Sequence, residues 1–168
     1  MSAITTRPTV STTPARSVVD HALDRASTFL NAHSITILRI SLGLVFLTFA
    51  SFKFVSGASP AEELAVATVG KLTFGMVTGT NALLFTALTE TVIGITLLTG
   101  KFVKVGLLVM AGAMVGILSP LVLFPDQMWA DNGPTLTGQY VFKDIVLVAG
   151  AMVVAAHALG ARLRSDRD

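Results

Sequence analysis

The sequence predicts an all-α membrane protein: a four-transmembrane-helix bundle with an N-terminal amphipathic helix and a short helix between spans one and two. Of the 168 residues, 52% are hydrophobic and only 13% are charged, whereas about 25% are charged in an ordinary globular domain. The mean hydropathy is +0.74. The chain also has four apolar stretches, each close to the length of about 20 residues that a helix needs to cross a bilayer.

The composition also excludes several classes of chemistry. The chain has no cysteine, so thiolate nucleophiles, disulfide exchange, iron–sulfur clusters and thiolate zinc sites are ruled out. The formal net charge of +2 is small, and we therefore predict no nucleic-acid partner. His157 is interpreted as an interfacial histidine at a helix end, and no metal site is predicted.

The chain is predicted to divide into residues 1–33, a transmembrane domain at 34–160 and a cytoplasmic tail at 161–168. Residues 1–13 are rich in Thr and Ser and are expected to be disordered. Thr13 and Pro14 form a good helix start, and apolar residues then recur at helical spacing. This pattern indicates an amphipathic helix at the membrane surface. A short cytosolic helix without lipid contact is the alternative.

The first span is predicted from about Ser34 to Val55, with a cation near each end. Arg39 and Lys53 share a side of the helix at opposite depths. Each is expected either to extend to the lipid headgroups or to turn into the protein. Gly43 lies one turn beyond Arg39, where the missing side chain would let a neighbouring helix approach.

The linker after the first span is predicted to contain a short helix. Ser59, Pro60 and Glu62 match a capping box with proline at its first helical position, so a helix from Pro60 to about Val69 is expected. The following segment, KLTFGMVTG, is apolar but rich in glycine and too short to span. We therefore place it at the membrane interface.

The second span, from Asn81 to Gly100, carries a single charge at its middle, Glu90. An ionised acid at this depth costs several kcal/mol unless it is paired or faces a wet cavity. Thr86 and Gly94 share a face with Glu90, so this face should point toward the other helices. Two interpretations stay open: Glu90 fixes the register of the helices, or it acts on a ligand, an ion or a proton.

The third span is predicted from about Val105 to Phe124. Gly112 and Gly116 form a GxxxG pair, which suggests close packing of one face, either within the bundle or across a dimer. Pro120 is expected to kink the last turn.

Residues 125–140 are predicted to form an aqueous loop rich in turn formers. The fourth span, from about Val141 to Leu159, then begins with a dense group of polar residues. The members of this group are Gln139, Tyr140, Lys143 and Asp144.

The distribution of basic residues predicts a multi-pass protein with both termini in the cytoplasm. The inner side would collect Arg7, Arg16, Arg25, Lys101, Lys104, Arg162, Arg164 and Arg167. The outer segments would hold only Lys71 and the borderline Lys53 and Lys143. This orientation brings the polar ends of spans one and four together, with Glu90 beneath them.

The order of these residues resembles that of the DoxX/DoxD-like integral membrane protein family, in the branch related to a reactive-chlorine-resistance inner-membrane protein. The resemblance rests on Arg39, Gly43 and Lys53, on Glu90, Gly94 and Gly100, and on the segment TLTGQY (135–140) followed by Lys143 and Asp144. It covers about residues 35–160. It implies a four-helix bundle in a prokaryotic cytoplasmic membrane, the plasma membrane of the cell, in a setting linked to oxidative stress or to quinone.

Two hypotheses for function follow. In the first, the protein belongs to a redox-stress or quinone-linked system, as a membrane oxidoreductase component if it is an enzyme, and a polar pocket binds a quinone-like or small anionic ligand. The candidate pocket residues are Glu90, Arg39, Lys53, Gln139, Tyr140, Lys143 and Asp144. In the second, it is a non-catalytic subunit or scaffold, with Gly43, Gly94, Gly112 and Gly116 packing helices against a membrane redox partner or a second copy. A transporter is a third possibility.

Overall fold

The computed structural model describes residues 18–55 and 57–161, and most of these residues are helical. The helices are α1 (Val18–Lys53), α2 (Glu62–Leu72), α3 (Gly79–Thr99), α4 (Val103–Leu118), α5 (Pro120–Leu123), α6 (Pro125–Met128), α7 (Leu136–Phe142) and α8 (Ile145–Ala158). Two strands, β1 (Trp129–Ala130) and β2 (Gly133–Pro134), form a small antiparallel hairpin. The hairpin is the one departure from an all-α structure among the described residues.

Four helical stretches in the described part of the chain are long and apolar enough to cross a membrane. They are Val18–Lys53, Gly79–Thr99, Val103–Leu123 and Leu136–Ala158. The predicted number of apolar spans is thereby confirmed, and a lipid bilayer is the environment that such helices favour.

The chain divides into two units, Met1–Ser34 and Ile35–Asp168. In the first unit the described residues are helical and mostly exposed, and the ring of His33 stacks on that of Phe29 with 4.7 Å between centroids. The first span was predicted to begin at about Ser34, but no helix begins there, because α1 runs from Val18 to Lys53. An interfacial position for the N-terminal helix stays a prediction. The tail expected at residues 1–13, the helix start at Thr13 and Pro14, and residues 162–168 of the predicted C-terminal tail lie outside the described residues.

The core of the second unit is formed where residues 35–53 of α1 pack with α3, α4 and α8. Its buried members are Leu42, Phe46, Ile93, Leu97, Met110, Met114 and Val154. Large apolar side chains also cover the outer faces of these helices; Leu88, Leu108 and Val146, for example, are exposed. An apolar exterior of this extent fits contact with lipid.

The turn between α3 and α4 is short and sets the two helices side by side. Gly100 adopts a left-handed conformation (φ +72°) at the end of α3, which glycine adopts at low cost. Because so short a connection joins antiparallel neighbours, α3 and α4 pack extensively against each other.

The short helix predicted between spans one and two is confirmed, but its start is different. α2 begins at Glu62, and its N-cap residue Ala61 makes no side-chain cap hydrogen bond. The predicted capping box at Ser59 is therefore wrong. The Glu62 carboxylate instead accepts a hydrogen bond of 2.8 Å from the backbone N–H of Gly57, which anchors the chain just before the helix.

The helix of the third span is interrupted at Pro120, where a kink was expected. α4 ends at Leu118, and α5 begins at Pro120 after the single residue Ser119, whose hydroxyl donates to the Gly116 carbonyl at 2.7 Å. Proline lacks the backbone donor that would continue the helix.

The loop predicted at residues 125–140 is wrong in its last part. α7 begins at Leu136, so the fourth span starts before the predicted Val141. The Thr135 hydroxyl caps this helix by accepting from the Gly138 N–H at 3.0 Å. Threonine and glycine, interpreted as turn formers, here begin a helix.

Candidate functional site

A buried ion pair between Lys53 and Glu90 lies at the centre of the candidate site. The Lys53 Nζ donates to both carboxylate oxygens of Glu90, at 2.9 and 2.7 Å. Each residue is only 5% exposed. Lys53 therefore does not extend to the lipid headgroups, and Glu90 is neither solvated nor directed at acyl chains.

Two glycines allow α1 and α3 to approach closely enough to form this pair. A Cβ on Gly43 would lie 3.0 Å from the Gly94 carbonyl oxygen and 3.0 Å from the Leu98 backbone nitrogen. A Cβ on Gly94 would collide with the Leu47 side chain. The prediction that Gly43 and Gly94 are helix-packing positions agrees with this geometry. Lys53, at the end of α1, is thereby held against the middle of α3.

Tyr140 and Asp144 lie near the ion pair, on the same cavity wall and next to a break in the fourth span. α7 ends at Phe142 and α8 begins at Ile145. The ring of Tyr140 packs edge-on against Phe49, with 6.1 Å between centroids. Lys143 is exposed, and its Nζ lies 3.8 Å from the centre of the Tyr140 ring. Lys143 therefore contacts the Tyr140 ring from the exposed side of that ring.

These polar residues line one end of a cavity of about 550 Å³ whose other walls are mostly apolar. Four side chains in the cavity wall carry a charge or a phenol group, namely Lys53, Glu90, Tyr140 and Asp144. Phe46 and Phe49 of α1, Leu64 and Val69 of α2, and Val109 and Ala113 of α4 belong to the apolar walls. A volume of this size falls in the range of roughly 300–1,000 Å³ for small-molecule sites.

The polar groups of the cavity differ in whether they already make hydrogen bonds within the protein. The hydroxyls of Thr68 and Thr86 donate to carbonyls one turn back in their own helices, at 2.6 and 2.7 Å. Among the described residues, by contrast, no hydrogen bond involves the Tyr140 hydroxyl or the Asp144 carboxylate, and both side chains are half-buried. These two groups are therefore available to a ligand.

Lys53 also lines a second cavity, of about 560 Å³, on the side of α2. Glu62, Glu63 and Thr80 contribute polar groups there. Since Lys53 borders both cavities, it stands between an apolar space and one with acidic walls.

Two of the predicted site residues lie elsewhere. Arg39 donates to the carbonyls of Leu97 and Leu98 at the end of α3, one of these bonds measuring 3.4 Å, and it does not line either cavity. Gln139 is exposed and donates to the Pro134 carbonyl at 3.2 Å. Neither residue joins the group around Glu90, because Arg39 is held by carbonyls at the end of α3 and Gln139 by a carbonyl just before α7.

The GxxxG pair of α4 was predicted to pack one face of the helix closely, but within the chain it leaves space. No atom lies within 4 Å of a Cβ built on Gly112, and only Leu72, at 3.9 Å, approaches one built on Gly116. Both glycines line the apolar cavity. They create space there and do not pack another helix of this chain closely; packing across a dimer stays a prediction.

The sequence analysis missed the contribution of α2 and most of the apolar walls. Leu64, Thr68 and Val69 of α2 lie on the cavity, although the linker carried no signal of a binding site. Their spacing of one helical turn was visible in the sequence but is equally typical of ordinary packing. Over residues 18–55 and 57–161, no three His, Cys, Asp or Glu side chains cluster closely enough to hold a metal ion.

Arg39 is expected to contribute to stability and not to ligand binding. Arg39→Met removes the donor to two carbonyls at the end of α3, where a cation is also favoured by the helix dipole. We expect a loss of about 1–3 kcal/mol in the free energy of unfolding in mixed micelles. Lys101→Met, which removes an exposed cation just after the end of α3, should change the free energy of unfolding by less than about 0.5 kcal/mol. Equal losses in both variants would contradict this role.

Comparison with known proteins adds no family assignment. No protein-family model, no curated protein and no solved structure matches the chain. The resemblance to DoxX/DoxD-like proteins therefore stays a prediction from the residues that carry it, and function has to be inferred from the chemistry of the cavity.

Proposed function

We propose that this chain is a DoxX-like integral membrane protein of a redox-stress or quinone-linked system, and that the cavity beside Glu90 binds a quinone-like molecule. The observation that carries the proposal is the combination of a mostly apolar cavity of about 550 Å³ with Lys53, Glu90, Tyr140 and Asp144 in its wall. Quinones combine a flat apolar ring with polar oxygens, and this cavity offers both environments.

The hydrogen-bonding capacity of the polar end suits both redox forms of such a ligand. A quinone oxygen accepts hydrogen bonds, and the Tyr140 hydroxyl can donate one. Lys53 uses two of its three N–H donors on Glu90, so a third remains. A quinol hydroxyl donates, and the Asp144 and Glu90 carboxylates accept. A carboxylate in this position can also take up a proton from a quinol hydroxyl.

The second cavity offers a route for such a proton. Lys53 borders both spaces, and Glu62 and Glu63 line the second one. An acidic wall beside the ion pair supports proton exchange between Glu90 and the polar surface at α2. The protein would therefore bind the ligand and handle its protons, as one component of a membrane oxidoreductase system.

The proposed setting is a prokaryotic cytoplasmic membrane in which the four spans form a bundle with both termini in the cytoplasm. The predicted inner side carries eight Lys and Arg residues. On the predicted outer side, Lys53 is neutralised by Glu90, and Lys71 is held by the Leu123 carbonyl at 2.8 Å and lies over the Phe124 ring. With Lys71 and the exposed Lys143 as the other cations there, the excess of positive charge lies on the inner side.

Filling the cavity is expected to abolish ligand binding without loss of the fold. Gly112→Leu adds a side chain where no atom lies within 4 Å of the new Cβ, so it should fold while occupying ligand space. Binding of a short-chain benzoquinone to purified protein in nanodiscs, measured by photo-crosslinking with an azido analogue, should weaken at least about tenfold, or 1.4 kcal/mol. The matched control is Ala111→Leu, an exposed neighbour outside the cavity wall, which should bind like the wild type. No crosslinking in the wild-type protein, or equal crosslinking in both variants, would refute the site.

A scaffold function is the second candidate, and the ion pair is the observation that favours it. Lys53 and Glu90 satisfy each other inside the protein, as residues that only fix the register of two helices would. Under this hypothesis the chain docks a membrane redox partner or a second copy and binds no small molecule. The crosslinking experiment separates the two, since a scaffold gives no cavity-dependent labelling.

A further inference from the structure

We infer that the ligand reaches the cavity sideways from the hydrocarbon layer, through an opening rimmed by apolar side chains of α3 and α4, and carries a flexible hydrocarbon tail that lies in this opening. The inference rests on the proposed function, which it extends by naming the class of ligand. The ligand would be a lipid-dissolved molecule with a polar ring at one end and a hydrocarbon chain at the other.

The residues that form the opening belong both to the cavity wall and to the outer surface. Phe85 of α3 and Leu108 and Val115 of α4 line the cavity. The same side chains are 60%, 75% and 69% exposed, respectively. A side chain that borders a cavity and is mostly exposed marks the rim of that cavity. The rim is therefore made of large apolar groups.

The depth of the rim places it among acyl chains. Phe85 lies within the span Gly79–Thr99, and Leu108 and Val115 lie within the span Val103–Leu123. Gly112 stands one turn beyond Leu108 on the same face of α4 and leaves a gap there, with no atom within 4 Å of a Cβ. An opening with an apolar rim at this depth favours access from lipid.

The cavity wall is polar beside the ion pair and apolar at the rim. Lys53 and Glu90 are each only 5% exposed, so this ion pair lies away from the rim. A ligand would therefore bind with its polar ring inward and its chain outward. A long chain cannot be contained in about 550 Å³ and has to leave through the opening.

The experiment uses the absence of cysteine in the chain, which allows a single nitroxide label at any chosen position. Leu108→Cys reports on the rim, and Ala111→Cys is the matched control on the same helix outside the cavity wall. In nanodiscs, collisions with oxygen report contact with lipid, and collisions with a soluble nickel chelate report contact with water. The labelled proteins receive 2,3-dimethoxy-5-methylbenzoquinone, either without a tail or with a tail of two isoprene units. Binding of each quinone is measured separately as a thermal shift.

Both labels should collide mainly with oxygen before ligand is added. The tailed quinone should then lower oxygen collisions about twofold at Leu108→Cys and leave Ala111→Cys unchanged, because a bound chain covers the rim. The quinone without a tail should bind and leave both labels unchanged.

Several results would overturn the inference. Leu108→Cys colliding mainly with the nickel chelate would show that the opening faces water. If both quinones bind but neither affects the rim label, lateral access is wrong while the proposed function stands. If neither quinone gives a thermal shift, the inference and the proposed function fail together. Equal protection of the rim by oleic acid would mean that the site does not select a ligand with a polar ring.

Discussion

Replacing Glu90 with leucine is expected to destabilise the protein by about 3–5 kcal/mol, because the Lys53 ammonium loses its partner while it stays buried. Lys53→Met should cost a similar amount for the converse reason. Both effects can be measured as free energies of unfolding in mixed micelles of mild and denaturing detergent. Glu63→Leu removes an exposed acid from α2 and should change stability by less than about 0.5 kcal/mol.

The double variant Lys53→Met/Glu90→Leu decides whether the two residues act as a pair. Two apolar side chains of similar size replace the ion pair without leaving a buried charge, and such replacements are often neutral or stabilising in other proteins. We therefore expect the double variant to regain most of the stability lost in either single variant. Losses that simply add would show that Lys53 and Glu90 contribute independently.

The double variant also separates the two functional hypotheses. Under the quinone-binding proposal it folds but loses crosslinking to the azidoquinone, since both charged groups have gone from the cavity wall. Under the scaffold hypothesis its fold and its assembly with a partner are retained, because helix packing no longer depends on the charges. Single variants cannot make this distinction, since a buried unpaired charge disturbs the fold and the site together.

The presence of Glu90 in the core could be predicted from the sequence, but its partner could not. A single acid in the middle of an apolar span has to face protein, and it does. Lys53 lies 37 residues away in sequence and near the end of a span, where a lysine is usually placed at the headgroups. Only the angle and separation of α1 and α3 show that its ammonium reaches inward to Glu90.

The four apolar helices could be predicted because length and composition alone define a span. The end of the loop before the fourth span could not, because its threonine and glycine are typical both of turns and of a capped helix start. Thr135 acts as the cap here. Tyr140, already predicted as a pocket residue, lies on the resulting earlier helix, α7, and lines the cavity, so the error concerns the helix boundary and not this site residue.

The glycines show a more general limit of sequence analysis. A missing side chain can admit a neighbouring helix or leave a void, and the sequence pattern is the same in both cases. Gly43 and Gly94 belong to the first kind, and Gly112 and Gly116 belong to the second. The same substitution, glycine to alanine, is therefore expected to change stability in opposite directions at the two kinds of position.

Gly43→Ala is expected to destabilise the protein by about 1–3 kcal/mol, since the added methyl group overpacks a helix crossing. Its Cβ would lie 3.0 Å from the Gly94 carbonyl oxygen and 3.0 Å from the Leu98 backbone nitrogen. Backbone atoms cannot turn aside as a flexible side chain does, so α1 and α3 have to separate. Gly43→Leu should be worse and should prevent the close approach. Unfolding in mixed micelles measures both losses, and weaker azidoquinone crosslinking should accompany them as Lys53 moves away from Glu90.

The matched control is Gly112→Ala, the same change at a position where the new Cβ has no neighbour within 4 Å. Alanine is favoured over glycine inside a helix by about 0.5–1 kcal/mol, so this variant should be as stable as the wild type or more so. Opposite signs for the two substitutions would show that α1 and α3 touch at Gly43 while α4 leaves space at Gly112. A neutral Gly43→Ala would mean that the helices are not in contact there, and the ion pair would then need another explanation for its short distances. A destabilising Gly112→Ala would mean that the cavity beside α4 is filled by protein, which leaves no room for the proposed ligand.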